Sequence, residues 1–127
     1  MAVSIIGGDI VWLNGPFPCG TWPDIKIFRC GLKDALEKGE KVEADRGYRG
    51  EGDHINLPDE FNASRKEKAK VRARHETANK RFKQWGCLNR TYRHHVSTHA
   101  SVFRAVAVIT QLAIENDEPL FGVEYNV

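Results

Sequence analysis

The segment from Ser64 to Trp85 constrains the fold most, because its pattern predicts one long helix. It opens with SRKE, a Ser followed three residues later by Glu, in which each side chain caps the other's backbone N–H. Apolar residues then recur at steps of three and four, and Gly86 follows the predicted end. The apolar face holds Val71, His75, Ala78, Phe82 and Trp85, and the opposite face holds Arg72, Glu76, Asn79, Lys80 and Lys83.

The N-terminal third predicts a hairpin followed by a helix. AVSII and IVWL are apolar runs joined across Gly7-Gly8, which is typical of paired antiparallel strands. A Pro- and Gly-rich loop follows. The helical spacing then begins at Asp24, which we predict as the N-cap, and stops at Gly39. The apolar positions of this helix are Ile25, Phe28, Leu32, Ala35 and Leu36.

The rest of the chain completes a mixed pattern. We predict short strands at 42–44 and 54–57, a second long helix at 100–116, and an extended strand or docked arm in the tail PLFGVEYNV. This order predicts an α/β fold in one domain, residues 1–127, with at least one parallel strand pair. The apolar face of the second long helix holds Phe103, Val106, Ile109, Leu112 and Ala113.

Basic residues are concentrated in one stretch. Between Arg65 and Arg93 the sequence has eleven Lys or Arg and two acidic residues, although the net charge of the whole chain is only +2. Such a concentration indicates a polyanionic partner. A solvated helix face is the alternative.

Several classes of protein are not supported by the sequence. No segment approaches the apolar length of a membrane span, and the N-terminus lacks the features of a secretory signal. The three cysteines are odd in number and widely spaced, which predicts reduced thiols rather than disulfides or structural zinc. We interpret the remaining titratable cluster as surface or loop histidines: His94, His95 and His99.

Two carboxylates lie at positions where a metal ligand is one interpretation. Asp45 ends the predicted strand 42–44, and functional groups gather at the carboxyl ends of parallel strands. Glu76 is an acid among cations on the polar face of the long helix. The alternatives are an ordinary surface turn at Asp45 and ion pairs between Glu76 and cations one turn away.

Four segments together resemble a known family: IVWLNGPFPCGTWPDIKIFR, EADRGYRG, RHETANKRFKQWGCLNRTYRH and FRAVAVITQLAIENDEPLFGVEY. They resemble the C-terminal part of the DDE superfamily endonuclease domain of insertion-sequence-type and Harbinger-like DNA transposases. The likeness extends over nearly all of the 127 residues. Asp-x-Gly-Tyr after a strand and Glu-x-x-Asn-x-x-Phe-Lys on a helix are fairly specific when they occur together.

The resemblance implies an RNase H-like fold in which three carboxylates hold two divalent metals, Mg²⁺ or Mn²⁺. Asp45 matches the family's second catalytic Asp and Glu76 its closing Glu, so both are implied as catalytic metal ligands. Asp24 matches an acid at the head of the first helix, and we interpret it mainly as an N-cap. The DNA-binding residues that we infer on the long helix are Arg72, Asn79, Lys80 and Lys83.

The family's first catalytic Asp has no match in this chain. AVSII matches the second strand of the family's sheet, so we expect a truncated domain that lacks the first central strand. Asp9 in the hairpin turn and Asp24 at a helix start fit poorly as substitutes. Because two-metal chemistry needs the full ligand set, we expect weak metal binding and DNA cleavage at or near background. The chain is then a fragment of a longer gene or a degraded or domesticated remnant.

Two functions remain open from the sequence. One is a transposase-derived endonuclease domain, and the other is a non-catalytic DNA-binding module that uses the stretch 65–93. DNA is the expected partner in both. A homo-oligomer or a separate DNA-binding protein is a further alternative, and no membrane is expected. We expect a nuclear protein in a eukaryote and otherwise a cytoplasmic one, not a secreted one.

Overall fold

The computed structural model describes residues 1–18 and 20–126, which form a mixed α/β architecture with few strands. The strands are β1 Ala2–Val3, β2 Ile10–Trp12, β3 Val42–Glu43 and β4 Ile55–Asn56. The helices are α1 Asp24–Arg29, α2 Leu32–Ala35, α3 Arg65–Lys83, α4 Gly86–Asn89 and α5 His99–Glu115, and Arg46–Tyr48 and Val96–Thr98 form 3₁₀ turns.

The chain divides into two compact units. The hairpin unit consists of Met1–Pro16 and Ala73–Glu124, and it contains β1, β2, α4 and α5. The parallel-strand unit consists of Phe17–Arg72 and the residues from Tyr125 onward, and it contains α1, α2, β3 and β4. Helix α3 contributes its first part to the parallel-strand unit and its remainder to the hairpin unit.

The predicted N-terminal hairpin is confirmed, although its connection is longer than a two-residue turn. β1 and β2 are antiparallel, and the Ser4 N–H donates to the Asp9 carbonyl at 2.8 Å. Gly8 has a φ of +81°, a conformation that side chains rarely adopt. A Cβ at Gly8 would lie 3.4 Å from Nη1 of Arg74, which is an ordinary contact distance, so the positive φ is the reason that glycine suits this position.

The start of α3 is confirmed as predicted. The Glu67 N–H donates to Oγ of Ser64 at 3.2 Å, and the Ser64 N–H donates to Oε2 of Glu67 at 2.9 Å, which completes the capping box. These hydrogen bonds lower the pKa of the Glu67 carboxyl. The helix ends at Lys83. Trp85 therefore lies outside α3 and is 41% exposed, so its assignment to the core face was wrong.

The core of the hairpin unit forms where α3 and α5 bury their apolar side chains. The predicted helix at 100–116 is confirmed as α5, and Val106 is buried. Ile109 and Leu112 were predicted on the same face, but they are 46% and 52% exposed. Helix α5 has apolar residues on all of its sides, so their spacing alone did not identify the buried face. The buried apolar residues of these clusters are Ala78, Phe82, Val106, Ala107, Ile114 and Leu120.

The parallel-strand unit confirms the predicted parallel pair and corrects the first helix. β3 pairs with β4 in parallel, and Val42 lies opposite Ile55. A loop with a 3₁₀ turn connects them instead of a helix. The helix predicted from Asp24 breaks at Gly31, a residue of low helix propensity, and continues as α2. Asp24 is the first helical residue and Pro23 is the N-cap, so the capping role predicted for Asp24 was wrong.

An ion-pair cluster joins α1 and α2 to the loop between the parallel strands. Oε2 of Glu51 lies 2.9 Å from Nζ of Lys33, and Oε1 of Glu51 lies 2.6 Å from Nε of Arg29. The hydrogen bonds from Lys33 and Arg29 lower the pKa of the Glu51 carboxyl. This cluster holds the two short helices against the segment that follows Asp45.

Part of the basic stretch is buried rather than available to a partner. Lys68 is 2% exposed, and its Nζ donates to the Leu57 carbonyl at 2.6 Å and lies 3.7 Å from Oε2 of Glu43. The other carboxylate oxygen of Glu43 accepts hydrogen bonds from Asn62 and Tyr125. Burial and the Glu43 hydrogen bond both raise the pKa of the Tyr125 phenol. The expectation of a docked tail is therefore confirmed at Tyr125.

Arg74 is the second buried cation and holds three segments of the hairpin unit together. It is 3% exposed. Its Nε donates to the Phe121 carbonyl at 2.9 Å, and its Nη1 donates to the carbonyls of Ser4 and Ile5 at 3.1 and 2.7 Å. Two of the eleven cations counted in the stretch 65–93, Lys68 and Arg74, are therefore not available to a partner, because both donate to backbone carbonyls inside the protein.

Cys30 and Cys87 are free thiols, as predicted, and Cys19 lies outside the described residues. Among the helices that the structure describes, none has the length and apolar character needed to cross a membrane.

Replacing Arg74 by Met should lower the free energy of unfolding by about 2–3 kcal/mol, because it removes the hydrogen bonds from a buried guanidinium to three backbone carbonyls. Urea denaturation followed by circular dichroism measures the change. Lys70→Met is the matched control, since Lys70 is an exposed residue four positions earlier on α3. Equal stability of the two variants would contradict the structural role of Arg74.

Candidate active site

Asp45 lies two residues after the end of β3 and caps the 3₁₀ turn that follows. Its Oδ1 accepts a hydrogen bond from the Gly47 N–H at 2.8 Å. A carboxylate that accepts from the N–H two residues later closes a local turn and has a fixed orientation. Asp45 is exposed. The cap explains why an Asp stands between the strand and the turn. The hydrogen bond uses Oδ1 only, so the second carboxylate oxygen takes no part in it.

Gly47 brings a second carboxylate into the site. A Cβ built at Gly47 would lie 3.0 Å from Oδ1 of Asp45 and 3.6 Å from Oδ2 of Asp24. The two carboxylate oxygens are therefore no farther apart than the sum of those distances. A side chain at this position would press against the Asp45 carboxylate. The glycine in Asp-x-Gly-Tyr thus leaves room for two acids.

Tyr48 fixes the position of the turn against α1. Its ring packs edge-on against Phe28 of α1, with centroids 6.5 Å apart and an interplanar angle of 87°. Burial, with a further contribution from the negative charges of Asp24 and Asp45, raises the pKa of Tyr48 to about 12. This packing brings the first residue of α1 next to the turn that Asp45 caps.

Two arginines share a surface concavity with the two acids. Arg46 follows Asp45 in the 3₁₀ turn, and Arg72 lies on the exposed side of α3. Guanidinium groups form bidentate hydrogen bonds with phosphate oxygens. The concavity therefore combines carboxylates that suit a cation with arginines that suit a phosphate. It is lined by Asp24, Asp45, Arg46, Gly47, Pro58 and Arg72.

The side chains of this concavity fit a weakly held divalent ion. Mg²⁺ prefers hard oxygen ligands and is commonly held by one or two carboxylates together with waters and substrate phosphates. Asp24 and Asp45 supply two such carboxylates beside Gly47. Within residues 1–18 and 20–126, no group of three or more His, Cys, Asp or Glu side chains is placed to hold a metal.

Glu76 lies on the part of α3 that belongs to the hairpin unit. Its side chain is exposed, and no side chain that the structure describes forms an ion pair with it. The alternative that Glu76 serves only to pair with neighbouring cations is therefore not supported. Asp45 belongs to the parallel-strand unit. The shared metal of Asp45 and Glu76 stays a prediction.

The other predicted DNA-binding residues of α3 differ in their surroundings. Nδ2 of Asn79 lies 3.4 Å from Nδ1 of His75, and Nε2 of His75 lies 3.2 Å from the Met1 carbonyl. Asn79 therefore supports a half-buried histidine, whereas Lys80 and Lys83 are exposed. DNA binding by these side chains stays a prediction.

Asp24 lies beside Gly47, although the sequence predicted it mainly as an N-cap. Its match to an acid at the head of the family's first helix was the available signal, but its position before a helical pattern favoured a cap. Asp9, the other acid considered as a substitute, accepts a hydrogen bond from Nε2 of Gln111 at 3.0 Å in the hairpin unit.

An α/β protein with two carboxylates and two arginines around one concavity has the components of an enzyme that acts on phosphate esters with a divalent ion. The family model described as DDE superfamily endonuclease matches residues 1–111. The chain belongs to this family of DNA endonucleases, which generally use a divalent metal. No curated protein matches the chain, and no solved structure does.

Asp24→Asn and Asp45→Asn should each lower the pKa of Tyr48 from about 12 towards the ordinary value of 10, because each removes a negative charge near the phenol. Neither should restore the ordinary value, since burial contributes most to the shift. Absorbance titration, with the Tyr48→Phe spectrum subtracted, isolates this phenol from the other tyrosines.

The same titration has a control and a consequence for stability. Asp53→Asn removes an exposed acid from the same unit and should leave the pKa of Tyr48 unchanged. Because the phenol ionises at lower pH when unfolded, its contribution to stability is complete below about pH 10 and is lost as pH rises towards about 12. An unchanged pKa in both site variants would contradict the placement of the two acids beside Tyr48.

Proposed function

We propose that this chain is a transposase-type DNA endonuclease domain of RNase H-like ancestry, with Asp45 and Glu76 as ligands of Mg²⁺ or Mn²⁺. The observation that carries the proposal is the Asp45 carboxylate, held at the end of β3 beside Asp24, in a chain that belongs to the DDE endonuclease family. We add Asp24 to the proposed ligands because its carboxylate borders the same glycine.

In this site the carboxylates bind the cation and the arginines orient the phosphate. Asp45 and Asp24 bind the cation through carboxylate oxygens. When bound, the ion supplies Lewis-acid activation of a phosphodiester. Arg46 and Arg72 line the same concavity and orient a phosphate group next to the carboxylates. The proposed contacts along the DNA backbone come from the exposed side chains of α3, Lys80 and Lys83, with Asn79 beside them.

Weak metal binding follows from the number and exposure of the ligands. Affinity for a hard cation rises with the number of charged ligands and with the rigidity of the site. Asp24 and Asp45 are both exposed. Only Asp45 is fixed by a hydrogen bond within its own turn. We therefore propose that this polypeptide cleaves DNA at or near the background rate.

The second candidate function is DNA binding without cleavage. The exposed cations of the 65–93 stretch favour it, and the burial of Lys68 and Arg74 restricts the contact surface to the remaining cations. Binding that falls steeply with salt, and that is the same with and without a divalent ion, would favour this candidate over the metal-dependent one.

Asp45→Asn should weaken Mn²⁺ binding about tenfold, because the amide keeps the cap to Gly47 and loses the charge that attracts the cation. Asp24→Asn should have a similar effect, and so should Glu76→Gln if it shares the ion. Electron paramagnetic resonance of free Mn²⁺ measures the dissociation constants directly.

Asp53→Asn is the charge-matched control, and we expect it to bind Mn²⁺ as the wild type does. Wild-type affinity in Asp45→Asn would overturn the metal site. Wild-type affinity in Glu76→Gln alone would remove Glu76 from the ligand set and leave the pair beside Gly47 intact.

Nicking of supercoiled plasmid in the presence of Mg²⁺ or Mn²⁺ should be the same for the wild type and for Asp45→Asn, at the background level. Gel electrophoresis of the purified chains measures it. Metal-dependent nicking by the wild type that disappears in Asp45→Asn would contradict the proposed inactivity and would establish Asp45 as catalytic.

A further inference from the structure

A long part of the hairpin unit contains no acidic residue at all. Between Glu76 and Glu115 there are 38 residues with six Lys or Arg and three His, and neither Asp nor Glu occurs. The whole chain has 17 acids in 127 residues, so a stretch of this length would hold about five at the average density. The segment therefore has a strong local positive charge that the net charge of the chain conceals.

A pocket opens in the middle of this acid-free segment. It has a volume of about 500 Å³ and is formed by α4 and the start of the loop that leads to α5. Its side chains include Arg90, Arg93, Tyr92 and His94. We call it the 86–94 pocket. Arg90 and Arg93 both line this one concavity, and both residues are exposed.

The loop behind the pocket is held in place by its own side chains. The Tyr92 ring packs edge-on against His99 and His94, with centroids 4.7 and 5.6 Å apart. Its hydroxyl lies 2.7 Å from Oγ1 of Thr98, and Oγ1 of Thr98 donates to the His95 carbonyl at 2.7 Å. These contacts order the backbone that carries the arginines, so less conformational freedom is lost when a ligand binds.

The side chains of Arg90 and Arg93 are not held by partners within the described part of the protein, whereas several other cations are. Arg29 and Lys33 pair with Glu51, and Arg74 donates to backbone carbonyls. Among the residues that the structure describes, no side chain forms a hydrogen bond or an ion pair with Arg90 or Arg93. Two arginines that share one concavity on a loop held by its own side chains, without an internal anion, have the chemistry of a phosphate site.

We propose that the 86–94 pocket binds phosphate groups of a DNA backbone, as a second contact beside the α3 cations. The inference rests on DNA being the partner in the proposed function. It does not depend on the metal, because none of the proposed metal ligands lines this pocket. Backbone contacts of this kind position a duplex without reading its sequence.

The test is fluorescence anisotropy of a labelled DNA duplex of mixed sequence, titrated with the full chain in EDTA at several salt concentrations. Arg90→Gln/Arg93→Gln should lower the affinity about tenfold and reduce the slope of log affinity against log salt by about two, one for each lost phosphate contact. Both side chains are exposed, so the fold should be retained, and circular dichroism checks this.

The matched control removes the same charge elsewhere. Lys38→Gln/Arg104→Gln replaces two exposed cations that lie outside both the pocket and the stretch 65–93, and it should change the affinity by no more than about twofold. An equal loss in the two double variants would overturn the proposal, because binding would then follow net charge alone.

The outcome is separable from that of the metal site. EDTA removes any divalent ion, so the anisotropy result is the same whether or not the chain binds a metal. Conversely, Arg90→Gln/Arg93→Gln should bind Mn²⁺ as the wild type does. A loss of duplex affinity in that variant with unchanged Mn²⁺ binding supports the pocket by itself.

Discussion

The hydrogen bond from the Gly47 N–H to the Asp45 carboxylate is the interaction on which the site depends. It closes the 3₁₀ turn immediately after β3, so the carboxylate is oriented by the backbone rather than by a distant partner. The same turn places Tyr48 against Phe28 of α1, which sets Asp24 beside Gly47. Each position of Asp-x-Gly-Tyr therefore has a separate physical reason: the acid caps, the glycine leaves space, and the tyrosine packs against the neighbouring helix.

The two carboxylates of the site repel each other, and a bound cation would reduce this repulsion. Asp24 and Asp45 are both exposed and border the same glycine, so their like charges repel each other weakly in water. Arg46 and Arg72 in the same concavity offset part of this repulsion. A divalent ion would offset more of it, and the arginines would then be available to a phosphate. This competition between resident arginines and a bound cation is a physical reason for a weak metal site.

The sequence predicted local structure well where one short-range pattern decided it. The capping box at Ser64 and the N-terminal hairpin follow from neighbouring residues, and both are confirmed. At least one parallel pair was predicted from the order of strands and helices, and β3–β4 is such a pair, although a loop rather than a helix connects its strands. The errors have a common origin in contacts between distant segments. Lys68 and Arg74 look like surface cations, but they donate to carbonyls that lie far away in the sequence. Asp24 looked like a cap because its proximity to Gly47 depends on how α1 packs. The periodicity of a helix predicts its apolar face. It does not predict which of its cations are buried because they donate to backbone carbonyls of other segments.

The most direct measurement of the central claim is amide-resolved NMR of the labelled full chain during addition of substoichiometric Mn²⁺. A paramagnetic ion broadens the signals of nearby amides, so it locates the metal without requiring activity. We expect early broadening of the Gly47 and Ile25 amides, together with those around Glu76 if that residue shares the ion. Sharp signals at Gly47 and Ile25, with broadening confined to another part of the chain, would contradict a metal site at Asp45 and Asp24.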